Sequence, residues 1–80
     1  MGKGYWLNVS YSLASFDEGS VDMLICSALG VGRASESGAG LGVRDLSFLF
    51  GTLAEATRAE RRLNNAVPVP LEISIDEVIR

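Results

Sequence analysis

The stretch SVDMLICSALG, residues 20–30, decides between two folds for this chain. Its apolar residues recur every three or four positions, as on one side of an amphipathic helix: Val21, Leu24, Ile25, Ala28 and Leu29. Ser20 suits the N-cap of such a helix, and Gly30 suits the position just after its end. As a strand, the same residues would show no alternation of apolar and polar side chains. The pattern therefore predicts a helix over 20–29.

Strand patterns lie on both sides of this helix. Residues 5–13, YWLNVSYSL, alternate strictly, so that Tyr5, Leu7, Val9, Tyr11 and Leu13 share one face and Trp6, Asn8, Ser10 and Ser12 share the other. Residues 31–37 are polar and predict a weak strand, whereas VRDLSFLF at 43–50 predicts a clear one. LEISID at 71–76 predicts the last strand.

A second helix begins with TLAE at 52–55, which has the form of a capping box. In this motif the Thr52 hydroxyl accepts a hydrogen bond from the Glu55 N–H, and the Glu55 side chain reaches back. Pro68 cannot continue a helix, so the helix ends before it.

The resulting order is strand, helix, strand, strand, helix, strand, in one α+β domain over residues 1–80. This order resembles the ferredoxin-like βαββαβ fold. The resemblance implies an antiparallel sheet of strand order 4-1-3-2, with both helices on one face and the other face open. If residues 21–29 formed a strand instead, the alternative would be a βββαβ sheet covered by one helix.

Composition excludes several classes of function. The net charge of −3 lacks the basic surplus that is typical of nucleic-acid binders. Histidine is absent, so histidine-based catalysis and histidine metal ligands are excluded. The single cysteine, Cys26, cannot form an intrachain disulfide and suits a buried position in a protein of a reducing compartment. No apolar run is long enough to span a membrane. We expect a cytoplasmic protein that has no cofactor, no metal and no catalytic residues.

The segment ESGAGLGVRD, residues 36–45, has three alternating glycines, Gly38, Gly40 and Gly42. A phosphate-binding loop needs such glycines to lead into a helix, and here a predicted strand follows. The sequence therefore predicts a flexible hairpin tip, in which glycines supply positive φ angles. Such a tip, together with Arg44 beside it, is a candidate contact for a protein partner.

Trp6 is the second candidate contact for a protein partner. Alternation directs it away from Leu7, onto the open face of the predicted sheet, and Leu49 of the third strand is expected beside it. Tryptophan is enriched at the centres of protein interfaces. RNA-binding domains of similar topology stack bases on this face, but here the face has one aromatic residue and no basic one, which argues against RNA.

Three acidic residues near the first helix, Asp17, Glu18 and Asp22, lack the spacing of a calcium loop and are interpreted as solvated charges.

The segment RDLSFLFGTLAEATRAERRL, residues 44–63, resembles the third strand and second helix of ferredoxin-like regulatory domains of the ACT type. That resemblance implies a homodimer with a small molecule at the subunit interface near the glycine segment. In size, mild acidity and architecture the chain is also similar to small phage-encoded inhibitors such as anti-CRISPR proteins. This second likeness implies a non-enzymatic protein that occupies the surface of a protein or a larger macromolecular complex. Of the two functions, this one is our leading hypothesis, and the ACT-type ligand-binding homodimer is the alternative.

Overall fold

The structure, a computed structural model, describes residues 3–14 and 18–79. The chain forms six elements in the order β1 (Lys3–Ser12), α1 (Glu18–Leu29), β2 (Glu36–Gly40), β3 (Val43–Phe50), α2 (Leu53–Ala66) and β4 (Glu72–Ile79). The fold is therefore α+β. Because residues 18–29 are helical, the βββαβ alternative is wrong.

The four strands form one antiparallel sheet in the order β2-β3-β1-β4. Read from the other edge, this order is 4-1-3-2. Strands β1 and β3, which have the clearest alternation of apolar and polar residues, are central, while β2 and β4 are the edges of the sheet. The last strand is longer than its sequence pattern predicted and continues to Ile79.

Both helices pack on one face of the sheet, which we call the helix face. The core there joins buried side chains from four elements and from the segment after α2: Leu7, Val9, Tyr11, Val21, Ile25, Leu46, Phe48, Ala59, Leu63 and Val67. Of the predicted stripe on α1, Val21 and Ile25 are fully in the core, whereas Leu24 is 42% exposed. In the described parts of the chain, neither helix has the length and apolar character needed to cross a membrane.

The end of α1 is as predicted, and its beginning is not. Gly30 has φ +71° and its N–H bonds to the Ser27 carbonyl, while the Val31 N–H bonds to the Cys26 carbonyl. These two bonds form a Schellman motif, which satisfies carbonyls at the end of the helix. The helix begins at Glu18, so Ser20 lies within its first turn and the prediction of Ser20 as N-cap is wrong.

The start of α2 confirms the predicted cap. Thr52 has extended backbone angles, and its hydroxyl oxygen accepts from the Glu55 N–H at 3.2 Å. The Glu55 carboxylate reaches back to the Thr52 hydroxyl, 3.0 Å away, rather than to its backbone N–H.

The glycine segment differs from its prediction. Gly38 and Gly40 belong to β2, and the β2–β3 connection consists of two residues only, Leu41 and Gly42. Their φ angles of +54° and +78° are those of a type I′ turn, whose twist matches the twist of paired strands. The predicted flexible tip is therefore a tight turn, and of the three glycines only Gly42 supplies a positive φ.

Candidate interaction surface

The sheet face opposite the helices, which we call the open face, contains the side chains that alternate with the core residues. The residues on this side are Gly4, Trp6, Asn8, Ser10 and Ser12 of β1, Val43, Asp45, Ser47 and Leu49 of β3, Glu72, Ser74, Asp76 and Val78 of β4, and Glu36, Gly38 and Gly40 of β2. Strand pairing brings them together, because directly opposed residues in a sheet point to the same side.

Trp6 and Leu49 are opposite each other in the β1–β3 register, as predicted. Both side chains are half-buried on the open face. On its other side, Trp6 is opposite Asp76 of β4, whose side chain is exposed. The apolar pair therefore lies directly beside a carboxylate.

A row of hydrogen bonds crosses the open face next to this pair. Asn8 donates from Nδ2 to Asp76 Oδ2 at 2.6 Å and accepts at Oδ1 from the Ser47 hydroxyl at 2.9 Å. The Ser10 hydroxyl donates to Asp45 Oδ1 at 2.6 Å. Charge-assisted hydrogen bonds are stronger than neutral ones, so these bonds hold two of the carboxylates in defined orientations.

The open face is acidic, although the whole chain is only mildly so. Four exposed carboxylates lie on it, those of Glu36, Asp45, Glu72 and Asp76. The residues of the open face named above include no lysine or arginine. By contrast, α2 exposes three arginines on the other side of the molecule: Arg58, Arg61 and Arg62.

The shape of this face is shallow. A depression of about 240 Å³ is lined by Trp6, Asn8, Glu36, Ser47 and Asp76. Gly38, opposite Asp45, presents no side chain to the surface. Such a surface suits contact with another macromolecule more than enclosure of a small ligand, since ligand pockets are concave and cover most of the ligand.

The other predicted contact residues do not join Trp6 and Leu49 as one group. Gly38 and Gly40 lie along edge strand β2, and Gly42 lies in the turn. Arg44 points to the helix face, where its Nη2 lies 2.8 Å from Asp22 Oδ2. The contact of Arg44 and the glycines with a partner stays a prediction: Arg44 is opposite Ala39 in register, but its side chain bonds to Asp22 on the helix face.

Sequence reasoning missed a cluster of polar side chains between α1 and the sheet. Asp22 Oδ1 accepts from the Tyr11 hydroxyl at 2.6 Å, and its other oxygen accepts from Nε and Nη2 of Arg44 at 3.1 and 2.8 Å. The Asp22 and Arg44 side chains are only 22% and 15% exposed. The interpretation of Asp22 as a solvated charge is wrong, while Asp17 and the Glu18 side chain lie outside the described residues. Alternation in 43–50 places Arg44 on the same face as Leu46 and Phe48, and this was a sequence signal for the cluster; the structure adds that Tyr11 is opposite Arg44 in register.

Cys26 follows Asp22 by one helical turn and packs against the core, although it is only partly buried where a buried position was expected. Burial raises the pKa of its thiol, and the negative charge of Asp22 adds to this effect. A raised pKa lowers the fraction of reactive thiolate at neutral pH, so Cys26 is poorly suited to nucleophilic chemistry. Within residues 3–14 and 18–79, acidic and cysteine side chains form no group of three that could hold a metal ion.

No family model, curated protein or solved structure matches this chain.

Proposed function

We propose that this chain is a non-enzymatic interaction protein of ferredoxin-like fold, which acts by occupying a surface of a protein partner with the open face of its sheet. Inhibitors of the phage-encoded type, including anti-CRISPR proteins, would act in this way. The single observation that supports the proposal is the pairing of Trp6 with Leu49 on the helix-free, mainly polar face of the sheet.

The fold supports this proposal through its layers. The element order and the sheet order agree with a ferredoxin-like domain. Because both helices cover the same face, the open face keeps a large aromatic side chain in contact with solvent, where it does not complete the core. Aromatic residues at such positions are the usual anchors of protein interfaces.

The charges on the open face indicate the chemistry of the partner. Four carboxylates lie on the same face as the apolar pair, Asp76 is opposite Trp6, and hydrogen bonds hold Asp45 and Asp76 in place. A complementary surface has lysine or arginine side chains around an apolar centre. Nucleic acid is disfavoured for the same reason, because its phosphates would face these carboxylates.

A Trp6→Ala variant tests the proposal. A hot-spot tryptophan contributes about 2 kcal/mol or more to binding, whereas truncation of a core aromatic costs about 3–5 kcal/mol of folding stability. We expect the variant to melt close to the wild type and to lose the proteins that the wild-type chain retains in affinity capture. Trp6 is the only tryptophan, so its fluorescence should also shift when a captured protein is added back.

The matched control is Leu53→Ser, which removes a half-exposed leucine from α2 on the other side of the sheet. This control should retain the same proteins. A large loss of thermal stability in Trp6→Ala with unchanged capture would place Trp6 among the structural residues and contradict the proposal.

A further inference from the structure

The two edges of the sheet are protected to different degrees. On β4, three carboxylates at Glu72, Asp76 and Glu77 follow the prolines at 68 and 70. Charges and prolines of this kind normally prevent an edge strand from pairing with another chain. On β2, Glu36 has the only charge, and the next four residues, Ser37–Gly40, are small and uncharged.

The fold itself does not require glycine at two of these β2 positions. Gly38 and Gly40 do not have positive φ angles, and a Cβ added to either would meet nothing within 4 Å. Glycine inside a strand weakens it and often marks a place where another backbone approaches closely. All five residues of β2 are exposed, and the described residues add no strand beyond it.

The turn determines which backbone groups of β2 point outward. A two-residue hairpin loop is closed by a hydrogen-bonded pair, here Gly40 and Val43. Hydrogen-bonded and non-hydrogen-bonded pairs alternate along antiparallel strands. The N–H and C=O groups of Ser37 and Ala39 therefore point away from β3, toward the free edge.

We propose that β2 pairs with β2 of a second copy of this chain, antiparallel and centred on Gly38. In this register Ser37 of each copy is opposite Ala39 of the other, so that all outward groups of these two residues bond. Gly38 is opposite itself, and Glu36 is opposite Gly40. The pair has the self-complementary geometry of a two-fold interface. The two Glu36 side chains, one from each copy, are at opposite ends of the paired segment and do not face each other.

Exposed apolar residues lie on both flanks of this edge. Met23 of α1 is 71% exposed and lines a cavity of about 290 Å³ together with Ser37 of β2. A second copy at the edge would lie against this cavity and bring its own Met23 toward the first. Leu41, which is completely exposed, would lie opposite Ser35 of the other copy.

The same pairing leaves the open faces free. A two-fold axis perpendicular to the sheet puts both open faces on one side of an eight-stranded sheet. Association of two copies through the open faces themselves would instead oppose eight carboxylates, four from each copy. If the proposed function holds, the dimer presents two partner-binding faces side by side and can bind a repetitive partner with avidity.

Charged residues introduced at the two-fold axis test the pairing. The dimer is measured by sedimentation equilibrium from about 10 μM to about 1 mM protein. We expect the wild-type chain to dimerise with increasing concentration. In the Gly38→Lys and Gly38→Glu variants the new side chain has room. Each variant opposes like charges across the two-fold axis, so the dissociation constant of the dimer should rise at least about tenfold. An equimolar mixture of the two variants should dimerise again. This recovery is specific to an interface centred on residue 38.

Two further variants keep the test decisive if a change at Gly38 disturbs the strand. Met23→Lys, on the exposed side of α1, should also weaken the dimer, whereas the matched change Leu53→Lys on α2 should not. A wild-type chain that remains monomeric at the highest concentration would overturn the proposal, as would a dimer that none of the changes at Gly38 and Met23 affects. Either result would leave the capture experiment on Trp6 unaffected, so the two proposals fail separately.

Discussion

At the scale of single residues, the Asp22 carboxylate accepts hydrogen bonds from two other elements. It connects α1 to both central strands, because Tyr11 belongs to β1 and Arg44 to β3. A half-buried ion pair contributes more than an exposed pair, since solvent screens it less.

We predict that Asp22→Asn lowers the free energy of unfolding by about 1–3 kcal/mol, because the half-buried guanidinium of Arg44 loses its ionised partner. Urea denaturation followed by circular dichroism measures this change. Ser10→Ala, which removes a hydrogen bond to Asp45 on the exposed face, is the control and should cost less. Equal costs for both variants would show that the cluster adds no stability beyond that of a surface contact.

At the scale of elements, the first turn of α2 depends on one hydroxyl. Thr52→Ala removes the acceptor of the Glu55 N–H, and we predict a loss of about 1 kcal/mol in unfolding free energy. Thr52→Ser keeps the hydroxyl and should retain most of the stability. A melting curve that is identical for wild type and Thr52→Ala would contradict the role of this cap.

The β2–β3 turn is the element whose sequence fits its geometry least well. Leu41 has φ +54°, a left-handed conformation that costs a typical non-glycine residue about 1–2 kcal/mol, whereas asparagine adopts it readily. We predict that Leu41→Asn raises the melting temperature, measured in dilute solution where the chain is monomeric. Leu41→Ala keeps the backbone penalty and should give no such gain. A leucine that is strained and fully exposed stabilises nothing within its own chain, which agrees with a contact to a second copy.

At the scale of the whole molecule, stability is distributed unevenly. The central strand β1 is paired on both sides and contains Leu7 and Val9, which are completely buried, whereas β2 is exposed along its whole length. We predict that amide hydrogen exchange in dilute solution is slowest in β1 and fastest in β2, because weakly packed edges open at lower free energy. Exchange followed residue by residue by NMR measures this order. Equal protection of both strands would indicate that the domain opens only as a single unit.

The sequence alone determined the type and order of the elements, since these depend on local chemistry. Alternation in residues 5–13, the apolar period of residues 20–30 and the Thr52 cap each act within a few residues of the chain. The structure confirms each of these elements, although the boundaries of β1, α1, β2 and β4 differ from the predicted ones. The position of Trp6 beside Leu49 also followed, once β1 and β3 were expected to be neighbours.

Only the tertiary structure decided which polar groups meet. Asp22 and Arg44 are 22 residues apart, and their ion pair exists because α1 packs over β3. The strand register likewise placed Gly38 and Gly40 inside an edge strand and left two residues for the turn. Three alternating glycines permit either a loop or a strand, because glycine has no strong conformational preference. Pairing with Asp45 and Val43 of β3 selects the strand, and this long-range hydrogen bonding is what a local sequence pattern does not contain.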